Sequence, residues 1–439
     1  MQKLRLKISN YKAINEADIH LNGITVLAGE NGCGKSTISR WLYYLVNSIE
    51  KYNDFVFAEY IARISSFVRV CVRLFRLIGE ENFNKSHILL LTDFLRKLES
   101  YSKFGDSLVS EVYEELEGVI KLFFIDLQKY WNSNISDGEK ARIVMYLRRF
   151  NDDVDDLNLK NLDIIEECDK FLSEINKSRD IAENKIRFRT KEMLYDIILN
   201  NYNEENIPSD LQLKEYEEDI FTDVSFKELS SISKALYIDT PMYLSESFFT
   251  THIGFSVRKM LFNKEAKMNS NCKKILIRIK RILKGNAQLD TDEIGNELYL
   301  NYHREDGLVI PIEDTATGFK SFIYLQRFLE NGCLDKNTLL IIDEPEAHLH
   351  PQWIVEFAKL LVLLNKEVGV KILIASHNSD MVSAIQAIAK YEAILDNVTF
   401  YQAVQSDIPY KYNYKNLGQD ISEIFKSYNI AIAKISRYE

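Results

Sequence analysis

Eight consecutive residues near the start of the chain form a pattern that can hold the phosphates of a nucleotide. The segment from Gly29 to Ser36 reads Gly-Glu-Asn-Gly-Cys-Gly-Lys-Ser, which fits the pattern Gly-x-x-x-x-Gly-Lys-Ser/Thr. Its glycines let successive backbone N–H groups face phosphate oxygens, Lys35 neutralises the β- and γ-phosphates, and the Ser36 hydroxyl ligates magnesium. We therefore predict a phosphate-binding loop that takes ATP together with Mg²⁺.

Two adjacent carboxylates follow an apolar run in the second half of the chain. Asp343 and Glu344 come directly after the residues Leu339 to Ile342. An apolar strand delivers such side chains to its carboxyl end, where ligands of open parallel sheets gather. One carboxylate can hold the magnesium shell, and the next can polarise the water that attacks the γ-phosphate. The pair alone also suits a solvated turn, but the upstream loop favours the catalytic interpretation.

A histidine occupies the corresponding place after a second apolar run. His377 follows the segment Val370 to Ala375, one helix and one strand after the carboxylates. A lone histidine is more often structural. This spacing in an α/β chain would bring it beside the γ-phosphate, so we predict that it takes part in the reaction.

The elements around these residues predict an α/β fold. Residues 24–28 form an apolar strand that leads into the loop, and a helix begins near Ser36. Residues 3–8 alternate between polar and apolar types and predict a strand with one wet face, and a second short strand follows near residues 19–21. Buried strands that alternate with helices imply a largely parallel sheet covered on both faces.

The predicted domain organisation divides the sheet-forming parts by a helical insertion. Residues 1–45 carry the loop, and residues 46–235 contain few glycines or prolines and show apolar positions at helical spacing. Residues 236–295 are interpreted as a linker with a basic helical segment. Residues 296–439 carry a hairpin, the carboxylates, the histidine and a C-terminal helix.

Composition limits the location and the partners. The net charge is −10 and no apolar run is long enough to cross a membrane. The start of the chain reads as a strand rather than a signal peptide, so we expect a cytoplasmic protein without membrane contact. The five cysteines are far apart and form no CxxC pair, which indicates neither a disulfide framework nor a zinc ribbon. Cys33 is interpreted as a space-filling residue, with a reactive thiol as the alternative.

The strongest basic cluster lies on one predicted helix. Its cations are Lys273, Lys274, Arg278, Arg281 and Lys284. The bland interpretation is a solvated helix face; the alternatives are a DNA or RNA contact and an anionic protein partner. An acidic protein repels phosphate backbones, so any nucleic-acid contact would be confined to this patch.

Together these motifs resemble the ABC-type ATPase heads of the RecF, SMC and OLD group. The resemblance covers residues 1–45 and 295–385. It implies that residues 347–350 form the D-loop, that Asp343 and Glu344 form the Walker B pair with Glu344 as general base, and that His377 is the switch histidine. Lys12, after the first strand, looks like a basic residue that helps to bind the nucleotide in relatives. The implied Walker A residues are Gly29, Asn31, Gly32, Cys33, Gly34, Lys35, Ser36 and Thr37.

Two segments depart from the pattern of the group. The candidate signature loop, which in relatives reaches the γ-phosphate of a second copy, contains Thr317, Gly318 and Lys320. Ala316 stands where a serine belongs, so Thr315 or Thr317 would have to supply the hydroxyl. No clear Q-loop glutamine is present, and Asp239 occupies a plausible place. We therefore expect hydrolysis that is slow or stimulated by a partner.

The resemblance implies an ATP-gated homodimer or higher oligomer. Segments of the type Asp-Glu-Pro-Glu-Ala-His-Leu-His-Pro look like those of ATPases in bacterial anti-phage or abortive-infection systems, which are often paired with a toxic effector. Residues 378–439 carry no metal-binding constellation, so we expect no Toprim nuclease domain and a separate effector. The alternatives are a RecF- or SMC-like DNA-handling ATPase and an ATP-dependent scaffold with little turnover. His348 and His350 alone are a weak metal signal.

Overall fold

The computed structural model describes residues 4–100, 108–133, 135–147, 163–239, 252–263, 266, 268–291 and 298–425. The chain divides into two compact units. The first joins Met1–Glu50 with Leu194–Glu439, and the second is Lys51–Met193. Every residue predicted to bind or hydrolyse a nucleotide belongs to the first unit.

The first unit opens with the elements that carry the glycine loop. Strand β1 (Leu4–Tyr11) pairs antiparallel with β2 (Ile14–Leu21). Strand β3 (Ile24–Ala28) is buried at all of its positions and is followed by the loop and helix α1 (Lys35–Glu50). Alternate residues of β1 are buried because only one face of this strand meets the core.

The second unit is helical, and its core is rich in aromatic residues. Phe171 contacts Phe67 with ring centroids 5.2 Å apart and Phe124 at 5.5 Å. Such pairs add to the stabilisation that burial of apolar surface provides. The helices are α2 (Tyr52–Ile78), α3 (Lys85–Ser100), α4 (Leu108–Trp131), α5 (Asp137–Leu147) and α6 (Ile164–Phe188).

The chain re-enters the first unit earlier than the sequence predicts. After α7 (Lys191–Tyr202) come strands β4 (Asp210–Glu215), β5 (Glu218–Asp219) and β6 (Lys234–Ile238). The predicted extension of the helical insertion to residue 235 is therefore wrong. Leu211 and Leu213 are buried while their neighbours are not, since β4 pairs antiparallel with β1, a partner far away in the chain.

The rest of the chain alternates strands with helices. The predicted linker in residues 236–295 is also wrong in part, because β6 and a further strand belong to sheets. The predicted C-terminal helix falls mainly on residues 426–439, outside the described residues. The remaining elements are α8 (His252–Leu261), α9 (Ser270–Leu283), β7 (Gly285–Thr291), β8 (Leu298–Arg304), β9 (Val309–Pro311), α10 (Thr317–Glu330), β10 (Thr338–Asp343), α11 (Pro351–Leu363), β11 (Lys371–Ser376), α12 (Ser379–Tyr391), β12 (Val398–Gln405) and β13 (Tyr412–Gly418).

A large mixed sheet organises the first unit. Its strand order is β5-β4-β1-β2-β13-β12-β3-β11-β10-β6, and β7-β8-β9 form a separate antiparallel sheet. Strands β12, β3, β11, β10 and β6 run parallel to one another. The carboxyl ends of these five strands consequently lie at one edge, where the segments with the predicted chemistry follow them.

The fold class predicted from the sequence is confirmed. The first unit is an α/β head with a largely parallel sheet and antiparallel N-terminal strands, and the second is an insertion whose elements, over its described residues, are helices. Strands β3, β10 and β11 are buried throughout, as expected for strands covered on both faces. Over the residues that the structure describes, no helix is both long and apolar enough to cross a membrane.

Candidate nucleotide-binding site

The glycine loop joins the carboxyl end of β3 to the N-terminus of α1. Gly32 and Gly34 have φ of 80° and 96°, a region that favours glycine. A Cβ atom added to Gly34 would also lie 3.0 Å from Cγ1 of Ile14, and one added to Gly29 would lie 2.8 Å from Cβ of Ala403. Backbone conformation and close packing therefore both require glycine in this loop.

The Lys35 side chain turns back into the loop that precedes it. It is only 6% exposed, and its Nζ donates to the carbonyl oxygens of Gly29 and Glu30, each at 2.8 Å. This places a positive charge between the loop backbone and the first turn of α1, where anions are also favoured by the helix N-terminus.

Cys33 is fully buried in the loop. Its Sγ lies 3.8 Å from Nζ of Lys35 and 3.8 Å from the hydroxyl oxygen of Tyr414. A reactive thiol needs access to its reaction partner. Burial therefore favours the space-filling interpretation of this residue over the reactive one.

Asp343 ends β10 beside the first turns of α1. Its carboxylate is 2% exposed and accepts hydrogen bonds from the hydroxyls of Tyr237, at 2.6 Å, and Ser39, at 3.3 Å. Burial raises the pKa of Asp343 to about 6, against the opposing hydrogen bonds from Tyr237 and Ser36. Ser36 and Asp343, both predicted magnesium ligands, thus lie within reach of each other, and their oxygen atoms are of the kind that Mg²⁺ prefers.

Glu344 and His377 meet across the ends of neighbouring strands. The backbone N–H of Glu344 donates to the carbonyl oxygen of Ala375 at 2.8 Å, and Glu344 itself has a φ of 48°. Its Oε1 lies 3.3 Å from Nδ1 of His377. Parallel pairing of β10 with β11 produces this approach, so the structure brings together two residues that the sequence separates widely.

Glu346 is a site residue whose role the sequence did not reveal. It is 5% exposed, and its Oε1 accepts from the Ser376 hydroxyl at 2.8 Å and from the His377 N–H at 3.1 Å. Burial raises its pKa. From the sequence it is a third carboxylate after the Walker B pair, and only its proximity to the pair of histidines draws attention to it.

A cavity of about 360 Å³ opens beside the loop and His377. Neutral polar side chains supply much of its wall. The lining residues are Gly29, Glu30, Asn31, His377, Gln402, Ala403, Gln405, Tyr412 and Ile424. The loop, His377 and β12 therefore share one open space at the carboxyl edge of the sheet.

One known protein family matches most of the chain. The family described as AAA ATPase domain matches residues 1–382. The chain belongs to the AAA ATPase domain family. This match supports the resemblance to ABC-type ATPase heads that the sequence predicts.

Relatives of this AAA ATPase share parts of its length. Endonuclease GajA of Bacillus cereus (strain HuB5-5) is 25% identical over 394 residues, which are 82% of this chain and 52% of GajA. The energy-coupling factor transporter ATP-binding protein EcfA3 of Clostridium perfringens is 37% identical over 98 residues, 22% of this chain and 34% of EcfA3. The chain thus spans about half the length of GajA and about a third of EcfA3.

Among solved structures, the SMC head domain of Thermotoga maritima is similar at a TM-score of 0.35 and 10% identity. The aligned region covers 95% of this chain and 99% of that one. An Smc head domain of Pyrococcus furiosus, bound to the C-terminal domain of ScpA, has a TM-score of 0.34 and 10% identity, with 99% and 100% covered.

Lys12 of the AAA ATPase lies near the glycine loop, but its ammonium is engaged elsewhere. The adjoining Ala13 and Ile14 are the residues that a Cβ on Gly34 would meet. The Nζ of Lys12 forms an ion pair with Glu204 at 2.9 Å. The predicted nucleotide contact would therefore require the Lys12 side chain to leave this carboxylate.

The candidate signature segment begins α10. Thr315 donates its hydroxyl to the Pro311 carbonyl at 3.0 Å, and Lys320 is buried with its Nζ 2.8 Å from the Glu313 carbonyl. Burial lowers the pKa of Lys320. The Thr315 and Lys320 side chains thus already donate to backbone carbonyls. Of the two candidates for the signature hydroxyl, Thr315 and Thr317, the better one is therefore Thr317, at the first position of α10. A Cβ on Gly318 would lie 3.0 Å from Leu349 of the D-loop segment.

Asp239, His348 and His350 are the remaining residues that the sequence singles out near the site. Asp239 follows β6, the parallel neighbour of β10, and accepts from Arg40 at 3.2 Å. It therefore lies at the carboxyl edge of the parallel strands. For His348 and His350, no cluster of three or more His, Cys, Asp or Glu side chains suited to a metal occurs in the described residues.

The predicted basic patch lies on α9 and is partly neutralised. Arg278 forms an ion pair with Glu356 at 2.8 Å. The buried face of this helix consists of apolar residues packed into the core. The cations Lys273, Lys274, Arg281 and Lys284 are exposed.

The raised pKa of Asp343 predicts that its ionised carboxylate lowers the free energy of unfolding. The pKa is near 6 in the folded protein and 3.8 ordinarily, so the folded chain binds the proton more tightly and stability falls as pH rises between these values. We expect Asp343→Asn to raise the free energy of unfolding by up to about 3 kcal/mol at pH 8 without nucleotide or magnesium.

Denaturant unfolding at pH 8 and at pH 4 provides the comparison for this variant. The stabilisation should shrink toward zero at the lower pH, because wild-type Asp343 is then largely protonated in the folded chain. Equal stabilisation at both pH values, or destabilisation at pH 8, would show that the carboxylate is not held at an electrostatic cost.

Proposed function

We propose that two copies of this chain bind Mg-ATP between their heads and that binding and hydrolysis of ATP switch the pair between closed and open states. The observation that supports this most is the convergence of Asp343, Glu344 and His377 at the sheet edge that also carries the glycine loop. ATP hydrolysis needs these groups together: a phosphate cradle, a magnesium ligand and a base for water.

The proposed roles within one copy follow the placement of each side chain. The loop residues Gly29 to Thr37 hold the phosphates, with Lys35 as their counter-charge. Ser36 and Asp343 hold Mg²⁺, which supplies charge neutralisation between the β- and γ-phosphates when bound. Glu344 accepts the proton of the attacking water, and His377 orients Glu344 and the γ-phosphate.

The second half of each site comes from the partner copy in this proposal. Thr317 and Gly318 begin α10, so the N–H groups of its first turn can meet the γ-phosphate of the other copy. Because Lys320 is buried on the Glu313 carbonyl, it supports the turn before α10 rather than the phosphate. The signature therefore acts through Thr317 and the helix N-terminus.

We further propose that this ATPase is the sensor component of a bacterial anti-phage system and controls a separate effector. The segment Asp-Glu-Pro-Glu-Ala-His-Leu-His-Pro, which resembles those of ATPases in such systems, supports this context. The match to an endonuclease, GajA, across 82% of the chain supports an effector that is a nuclease. Since the chain spans about half of GajA, the nuclease activity named in that protein is not assigned to the matched region. The effector class that fits best is a nuclease or another toxic enzyme.

A RecF- or SMC-like role in DNA handling is the second candidate. Four exposed cations favour it, since three of them lie on α9 and Lys284 directly follows that helix in an otherwise acidic protein. DNA binding that tightens with ATP and weakens with salt would select this role over the defence role. An ATP-dependent scaffold with little turnover is favoured only by Ala316, which gives α10 no side-chain cap.

Mixing two inactive variants tests the shared site. Lys35→Ala removes the phosphate counter-charge in its own copy, and Thr317→Asp places a negative charge where the γ-phosphate of the partner would lie. An acidic residue at a helix N-terminus is compatible with folding. Each variant alone should be nearly inactive, whereas an equal mixture should recover about a quarter of wild-type phosphate release, because half the dimers regain one of two sites.

The mixture is compared with the sum of the two variants measured separately. Recovery well above that sum supports a site built from two copies. Thr317→Asp with wild-type turnover, or a mixture no more active than the sum, would contradict the proposed arrangement.

A further inference from the structure

Glu346 lies between the Walker B carboxylates and the D-loop, in the turn that follows β10. Its side chain alone is 3% exposed. Such burial is costly for a carboxyl group that is not well partnered. Two backbone hydrogen bonds hold the turn. The Ala347 N–H donates to the Glu344 carbonyl at 2.9 Å, and the Leu349 N–H donates to the Glu346 backbone carbonyl at 3.0 Å. The position of Glu346 is therefore fixed by its own backbone.

Among the described residues, the hydrogen bonds that this carboxylate accepts from the segment after β11 go to one oxygen. Oε1 accepts from the Ser376 hydroxyl at 2.8 Å and the His377 N–H at 3.1 Å, and it lies 3.6 Å from Nδ1 of His377. Oε2 is buried without a hydrogen-bond partner among the residues described. Glu346 thus forms its hydrogen bonds with the segment that carries His377.

The same histidine nitrogen approaches two carboxylates. Nδ1 of His377 is 3.3 Å from Glu344 and 3.6 Å from Glu346. A hydrogen on Nδ1 that is donated fully to Glu344 would occupy the base that must accept a proton from water. A second carboxylate at ion-pair distance helps to hold the ring in place while Glu344 is released.

We propose that Glu346 is a positioning residue for hydrolysis, which fixes the His377 backbone and places a second carboxylate at ion-pair distance from its imidazole, so that Glu344 stays available to the attacking water. This inference rests on the proposed ATPase function. Glu346 itself touches neither nucleotide nor water in this arrangement and acts through His377 alone. Its removal should impair the chemical step and leave nucleotide binding largely intact.

The test compares Glu346→Gln and Glu346→Ala in the full chain. Gln keeps an oxygen acceptor for Ser376 and His377 but loses the charge; Ala loses both. We expect kcat for ATP to fall about 10-fold in the Gln variant and about 100-fold in the Ala variant, with KM within about twofold of wild type. Partial rescue by Gln over Ala distinguishes positioning from simple loss of a charge.

Ser376→Ala supplies an independent reading if Glu346→Ala folds poorly. It removes one donor to Oε1 and leaves the carboxylate in place, so kcat should fall about threefold to tenfold with KM again unchanged. Thermal unfolding of each variant identifies losses that come from misfolding.

Wild-type kcat in Glu346→Gln would overturn the inference, as would a loss of kcat matched by an equal loss of ATP affinity. Glu344→Gln separates this failure from failure of the proposed function. If Glu344→Gln abolishes turnover while Glu346→Gln does not change it, only the role of Glu346 is wrong. If Glu344→Gln retains wild-type turnover, the proposed hydrolytic site itself is wrong.

Discussion

Glu344→Gln is expected to lower phosphate release about 10³-fold while ATP binding persists. The amide keeps the size of the side chain and can still contact Nδ1 of His377, but it cannot accept the proton of the attacking water. Binding depends on the glycine loop and on Lys35, which the substitution leaves intact. The closed, ATP-bound dimer should therefore accumulate, because the reaction that reopens it is blocked.

Phosphate release and the molar mass with and without Mg-ATP measure the two effects separately. Glu305→Gln is the matched control, since it makes the same chemical change at an exposed residue between β8 and β9. The control should behave as wild type in both assays. A Glu344→Gln variant that hydrolyses ATP normally, or that binds ATP without any change in mass, would contradict the assignment of the base or of the dimer.

Lys35→Ala is expected to weaken ATP binding about 100-fold. The ammonium is held by two loop carbonyls at 2.8 Å, close to where the β- and γ-phosphates would lie, and charge-assisted hydrogen bonds to phosphate contribute roughly 2–3 kcal/mol. Isothermal titration with Mg-ATP measures the loss. Turnover should disappear at ATP concentrations that saturate the wild type.

Lys390→Ala controls for the loss of one positive charge, because Lys390 is exposed in the last turn of α12. It should bind ATP with wild-type affinity. If Lys35→Ala also binds ATP with wild-type affinity, the loop does not hold the phosphates. The prediction of a phosphate-binding loop from its sequence pattern would then be wrong.

The sequence predicts the main site segments because each is a short, continuous pattern. The strand, loop and helix around Lys35 are adjacent in the chain, so spacing alone specifies their order. Asp343 and His377 each end an apolar run, and parallel strands bring such ends to one edge. Their proximity could therefore be predicted before any distance was known.

Other features depend on contacts between distant parts of the chain. Strand β4 forms because β1 offers a partner about 200 residues earlier, and local patterning in residues 210–215 competes with the long helical stretch before it. Lys12 pairs with Glu204, and neither residue indicates the other in the sequence.

Burial is the further property that the sequence does not specify at single polar positions. Lys320 resembles a basic residue that reaches a phosphate, yet it is buried on a backbone carbonyl. Glu346 resembles a solvated acidic residue in a turn, yet it is enclosed beside Ser376. Both outcomes follow from tertiary packing around the turn, which fixes where each side chain can point.

The decisive measurement for ATP hydrolysis at this site is phosphate release by the purified full chain. It is made with ATP and Mg²⁺, and the Lys35→Ala and Glu344→Gln variants are measured beside the wild type. We expect the wild type to release phosphate slowly, release to stop when magnesium is chelated, and both variants to show only background release. Release that is equal in all three proteins would contradict the claim that the loop of Lys35 and the carboxylate of Glu344 form one ATP-hydrolysing site.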